Sequence, residues 1–228
     1  DTSTTKKAEL GQKLELSDGR VFTYVKVGAA ALTPGKVTFA RVPLTTHTNM
    51  VVAATTAIGA TTVSFLAGAA SAAAGDYAGG FMNVNDAAGE GHMYKIATNA
   101  AWASSSTAAS VTLLDEIRIA LTTLSEVTIT PPLELGVIQL GSLADANLTS
   151  CPIGVTINSM AASEYGWLQT KGTCTVLAAG TLVYGVDVIL ATLAGAVMPD
   201  NGVLLNKRVG TPININADTE YAVIKLDI

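Results

Sequence analysis

The chain has 228 residues, of which 49% are apolar and 14% charged, and carries a net charge of −5. That length supports one all-β domain with a real core, or two smaller ones. Its 13 basic residues are scattered, adjacent only at Lys6-Lys7 and Lys207-Arg208, which argues against a surface that neutralises nucleic-acid phosphates. No apolar run reaches the roughly 20 residues of a membrane helix. Val51 to Ala74 comes nearest, but its threonines, serines, two glycines and many alanines make a poor span.

Residues 1–13, DTSTTKKAELGQK, are polar and lack an apolar period, so they read as an extended N-terminal arm able to reach a neighbouring subunit. A start at Asp1 with neither signal peptide nor initiator Met implies that a few leading residues are absent. Leu14 to Val27 alternates around Asp18-Gly19, a preferred turn pair, and predicts a hairpin with Arg20–Val25 as its second strand. Pro34-Gly35 turns the chain into a strand at Lys36–Ala40.

Short strands follow at Val63–Leu66, Phe81–Val84, His92–Ile96, Val111–Leu114 and Glu126–Thr130, a cadence that fits a sandwich or barrel. Alanine-rich Ala67–Ala74 and Ala100–Ala109 are the two places where a short helix could intrude, although Ser, Gly and Thr interrupt both. Leu113–Leu121 reads as strand or loop. Pro131-Pro132 ends any ladder and marks the best domain boundary. The expected division is therefore an arm over 1–13, a β domain over 14–132, and a second β domain, or second half of one domain, over 133–228.

The second half is richest in signal at Glu164–Asp187. There Glu164–Thr170 and Thr173–Leu177 flank Lys171-Gly172, which reads as a tight hairpin connection. Ala179-Gly180 sets off a third strand at Thr181–Tyr184, and Gly185 breaks that run before Val186–Leu190. A final core strand is expected in Asp218–Ile228, with Tyr221 and Val223 facing inward and Ile224 to Leu226 as further candidates. The fold class predicted is all-β: a β-sandwich or small β-barrel domains with the N-terminal arm.

The order Trp167-Leu168-Gln169-Thr170, Lys171-Gly172, a small-residue turn and Gly185 resembles the C-terminal half of the decoration, or cement, proteins on the heads of tailed bacteriophages. The likeness extends to Leu16–Tyr24, Gly75–Gly80 and Asn85–Ile96 and so covers most of the chain. These are packing and turn patterns with no catalytic signature. The resemblance implies a structural virion protein on the outer capsid surface, assembled in the host cytoplasm. It would cement neighbouring major capsid protein subunits of the expanded head against the pressure of packaged DNA. It further implies a homotrimer at three-fold and quasi-three-fold positions, with no enzymatic activity and no cofactor. Lys6, Lys7 and Leu10 of the arm, with Trp167, are the expected capsid or subunit contacts. Trp167 also suits a plain core position, and the two readings stand level.

A search for chemistry finds little to set against this. His47 and His92 lack partners at metal-ligand spacing and read as surface histidines. Asn83–Glu90 lacks the ligand spacing of a calcium loop and reads as a hairpin turn, and Gly75–Gly80 lacks the Lys and Ser/Thr of a phosphate loop. No serine sits in a G-x-S-x-G elbow. Cys151 and Cys174 are expected as buried free thiols, the alternative being a disulfide if their strands are neighbours. Two other functions stay open. One is a head fibre or host-surface-binding appendage. The other is a secreted polysaccharide-acting β enzyme, for which Glu164, Asp187 and Glu220 are scattered candidates.

Overall fold

The computed structural model describes residues 1–106, 108–140, 150–202 and 207–228. Strand accounts for 43% of the structure and helix for 1%, so the chain is all-β. It divides into two compact units: Asp1–Val42 with Leu133–Ile228, and Pro43–Pro132 between them in sequence. Pro131-Pro132 thus lies at a boundary, but the other boundary is at Val42/Pro43. Residues 1–42 belong with the C-terminal half rather than with 43–132.

The chain begins in unit 1 with β1 (Lys13–Glu15), β2 (Val21–Val27) and β3 (Val37–Phe39). In unit 2 it forms β4 (Met50–Val51), β5 (Thr62–Phe65), β6 (Phe81–Asp86), β7 (Met93–Asn99), β8 (Ala109–Leu113) and β9 (Glu126–Thr130). It returns to unit 1 for β10 (Leu135–Val137), β11 (Pro152–Thr156), β12 (Tyr165–Leu177), β13 (Val188–Leu190), β14 (Val197–Pro199), β15 (Arg208–Pro212) and β16 (Tyr221–Asp227).

Unit 2 is a six-stranded sheet in the order β4-β9-β6-β7-β8-β5. Its ends meet, because Val52, next to β4, bridges Phe65 of β5, and the Leu66 N–H donates to Val51 O at 2.8 Å. Alternation drives the closure. In β8 and β9 every second residue is buried, and Val111, Leu113, Val127 and Ile129 fill the barrel with Met82, Ile96 and Phe65. The alanine-rich segments are not helical. Ala72 and Trp102 instead exchange backbone hydrogen bonds at 3.0 and 3.1 Å, so strand-like pairing satisfies groups that a helix would have satisfied locally. Thr107, within the second of these segments, lies outside the described residues. Leu113–Leu121 continues past β8 as a loop whose Ile117 and Leu121 plug the barrel.

Unit 1 is a larger, mostly antiparallel sheet in the order β1-β2-β12-β16-β15-β13-β14, with β10 joined to β2 and β11 linking β12 to β3. Ala178, just past β12, bridges Val197 of β14, so the second half of this sheet curls around a core of Val176, Val188, Leu190, Val209, Ile224 and Leu226. A smaller core of Val25, Val27, Leu32, Val137, Met160 and Leu168 lies under β2 and the first half of β12. In β16 the inward residues are Ala222, Ile224 and Leu226, whereas Tyr221 is 50% exposed. Of the residues expected for this core strand, Ile224 and Leu226 do face inward, whereas Tyr221 is exposed and Val223 half-buried on the other face.

The predicted hairpin at Lys171-Gly172 does not form. β12 runs unbroken for 13 residues. Its first half pairs with β2 and its second half with β16, and the register to β2 slips between Gln169 and Lys171. Gly172 does adopt a positive φ of 89°, but inside the continuous strand, just past the slip, where it pairs with Leu226. A Cβ there would stand 2.9 Å from both Arg20 Cα and Gly19 O, so the β1–β2 turn occupies the space that a side chain would need. The buried Gln169 side chain fills the bulge, its Nε2 donating to Lys171 O at 3.0 Å and to Thr173 O at 2.8 Å. Thr181–Tyr184 is likewise not a strand, and the ladder resumes only at Val188.

Candidate functional site

The N-terminal segment is tied along unit 1 rather than projecting from it. Ser3 and Tyr165 exchange backbone hydrogen bonds at 3.0 and 2.8 Å. The Lys7 N–H donates to Tyr24 Oη at 2.9 Å, and the Gly11 N–H donates to Tyr24 O at the same distance. Lys6 turns to Glu9 in an exposed ion pair of 2.6 Å, and Leu10 is half-buried. The composition of 1–13 reported few core-forming side chains correctly. It could not report backbone pairing, which needs no apolar side chain.

Trp167 is half-buried, between the two readings offered by the sequence. Its ring meets Tyr24 edge-on with centroids 5.0 Å apart, and Tyr24 stacks with Tyr165 at 6.1 Å. The register explains the grouping, because Trp167 lies opposite Tyr24 and Tyr165 opposite Lys26 across β12 and β2. Of the residues singled out in the sequence, Lys7 and Trp167 are thus brought to one tyrosine, Lys7 through its backbone.

Trp167 also lines a cavity of about 280 Å³ with Leu14, Leu16, Phe22, Ile157 and Met160. A second cavity of about 450 Å³ shares Arg20 and Ile157 with the first and continues past Gln169, Thr173 and Thr175 to Tyr221. Together they form a groove along the outer face of β12. Arg20 stands where they meet, its Nε donating to Asp18 Oδ2 at 2.7 Å and its backbone N–H to Asp18 Oδ1 at 3.1 Å. These bonds, backbone first, hold the Asp18 carboxyl below its usual range. At the far end, Tyr221 Oη donates to Pro34 O at 3.4 Å. The ring lies over Gly35, where a Cβ would approach it to 2.5 Å. Sequence reading missed Arg20, Thr173, Thr175 and Tyr221. They come from separate strands and turns, and only the Thr-x-Thr alternation within β12 hinted at a shared polar face.

The remaining candidates resolve into structural roles. His47 is buried, not on the surface. Its Nδ1 hydrogen-bonds the Tyr77 hydroxyl, its Nε2 lies 3.1 Å from Ala70 O, and its ring packs edge-on against Tyr77 and Trp102. Because Ala70 O only accepts, Nε2 carries the proton of the neutral ring and Nδ1 accepts from Tyr77. His92 is half-buried on Tyr94, with its Nδ1 3.1 Å from Gly89 O. Asn85 donates to Thr128 Oγ1 at 2.8 Å, which ties β6 to β9, and the Asp86 carboxyl accepts from the Ala87 N–H at 2.7 Å where the β6–β7 turn begins.

Glu164 accepts from the Ala161 N–H at 2.9 Å, and Asp187 pairs with Arg208 at 2.9 Å. Among the described residues no group of three His, Cys, Asp or Glu is placed to hold a metal. Both cysteines are free, but only Cys174 is buried; Cys151 is exposed, correcting the expectation of two buried thiols. Burial pushes the Cys174 thiol up to about 12. Comparison with protein-family models, curated proteins and solved structures finds no match to this chain.

Proposed function

We propose that this chain is a head-decoration protein of a tailed bacteriophage. It binds the outer surface of the capsid and cements neighbouring major capsid protein subunits, and it acts as a homotrimer without enzymatic chemistry. The single observation that carries the reading is the residue order from Trp167 to Gly185, which resembles that family and whose first part lies in β12, the longest strand among the described residues of unit 1. The structure adds support in two ways. Each all-β unit buries its apolar residues in a core of its own, as a part under mechanical load requires. The Lys7 backbone and the Trp167 ring, both expected at contacts, meet at Tyr24. Many weak copies on one lattice hold more firmly than one, because each bound contact raises the effective concentration of the next.

Sedimentation of the purified chain with intact phage heads tests this reading. The expected result is retention in near-stoichiometric ratio to the capsid subunit. A chain that stays in the supernatant at every ratio removes the proposal.

A further inference from the structure

We infer that the open edge of β12 at Thr173–Thr175 takes an extended, uncharged peptide segment of a partner protein as an added strand. β2 ends opposite Lys171 and β11 opposite Gln169, so over Thr173–Thr175 the ladder has β16 on one side alone. Thr175 lies opposite Val223 in that ladder but exchanges no bond with it. The Val223 N–H donates to Asn214 Oδ1 at 2.6 Å, and Val223 O accepts from the Ile213 N–H at 2.8 Å. Thr175 therefore turns its own N–H and C=O to the open side. The strand period puts Thr173 and Leu177 on that side as well. There the Leu177 N–H donates to Gly35 O at 2.7 Å, and Thr173 O accepts from Gln169 Nε2 at 2.8 Å. Among the described residues the N–H groups of Thr173 and Thr175 have no partner, and Thr175 O receives only the weak Cys174 thiol at 3.6 Å.

Donors two residues apart, roughly 7 Å along the strand, with an acceptor beside one of them, repeat the spacing at which an extended chain presents its own N–H and C=O to one side. Such an edge is a template for a further strand. The slot also selects what can enter. β2 at Lys171 and Gly35 at Leu177 stand in line with it at its two ends, so the flat sheet edge of a second copy would meet both. A single extended segment reaches in from solvent, because Thr173 and Thr175 are exposed and line a cavity of about 450 Å³. Its side chains must alternate. Those beside Thr173 and Thr175 share the outer face, and the one between them shares the inner face of buried Cys174. Charge narrows the class further. Arg20, the only charged residue among the described ones that line this cavity, is paired with Asp18 at 2.7 Å, and Asp1 lines the neighbouring Trp167 cavity instead. An inward charge would find no counter-ion there, and proline opposite Thr175 would lack the N–H that Thr175 O requires.

The test is NMR titration of the full chain with the capped peptide Thr-Val-Thr-Val-Thr, whose alternation places valine inward, and with two versions N-methylated either at the threonines or at the valines. The parent peptide is expected to shift the Thr173 and Thr175 amides and to slow their hydrogen exchange. Methylation at the valines, whose N–H groups face away from β12, should leave binding intact, and methylation at the threonines should abolish it. Thr175→Pro, which removes one donor at an edge position that tolerates proline, should weaken binding by about tenfold, whereas Thr175→Val keeps the donor and should not. The inference is overturned if the parent peptide moves neither amide, if both methylated peptides bind alike, or if Thr175→Val costs as much as Thr175→Pro. Protection of the two amides on concentrating the chain alone would overturn it in favour of a contact between copies. Head binding is a separate measurement, so this inference and the capsid proposal can fail independently.

Discussion

Gly172→Ala probes the feature of β12 that its sequence disguised. Gly172 sits at φ +89°, where an L side chain is strained, and a Cβ there would approach Arg20 Cα and Gly19 O to 2.9 Å. The left-handed backbone alone costs about 1–2 kcal/mol. Both obstructing atoms are backbone, so the β1–β2 turn must move, adding about 1–3 kcal/mol as in overpacked cores. Reduced freedom of the unfolded chain returns about 0.4–1 kcal/mol. The net expectation is a loss of about 1–5 kcal/mol from unit 1. Gly185→Ala supplies the control, because Gly185 has φ +79° with nothing within 4 Å of its Cβ position, so only the backbone cost applies. Native-state amide exchange along β16 reads the stability of unit 1 directly. The reasoning holds if Gly172→Ala lowers protection clearly more than Gly185→Ala. Equal losses would show that the turn does not crowd Gly172.

In unit 2, Tyr77→Phe keeps the ring contacts of the cluster but strips His47 Nδ1 of its donor, and should lower stability by about 1–3 kcal/mol in urea unfolding; an unchanged midpoint would mean that the hydrogen bond contributes nothing. Maleimide labelling at neutral pH should modify Cys151 alone in the folded chain and both cysteines in denaturant, since Cys174 is buried with its thiol pushed up to about 12; two labels per folded chain would contradict that burial. The same shift predicts an alkaline liability. The folded state keeps Cys174 protonated above the ordinary thiol value of 9.0, so its contribution is complete below pH 9.0 and lost as pH rises toward about 12; Cys174→Ala should flatten that part of the stability profile. Light scattering should report a trimer, and a monomer both free and on the capsid would refute the proposed oligomer.

The strand cadence was legible because period-two burial leaves a direct trace in residue order. Glu126–Thr130 was read residue for residue, and Asp18-Gly19 and Pro34-Gly35 turn the chain where their chemistry requires. Gly172 misled because its positive φ occurs inside a continuous strand, beside a bulge, and not in a turn. Only the exchange of partners from β2 to β16 distinguishes the two, and that is a long-range fact. His47 was unreadable for a similar reason, as its partners Tyr77 and Ala70 lie 30 and 23 residues away. The groove, too, is assembled from β12, the β1–β2 turn and Tyr221. The interrupted unit 1 escaped detection because its first strands look, in sequence, no different from those that follow in unit 2.

The central claim is that this chain strengthens a phage head, and the most direct measurement is the temperature at which packaged DNA escapes from heads stripped of the chain and heads resupplied with it. Dye fluorescence on released DNA reads the transition. The account predicts a higher release temperature when the chain is restored at saturating ratio, and a smaller rise with a variant lacking residues 1–13. An identical release temperature with and without bound chain would contradict it.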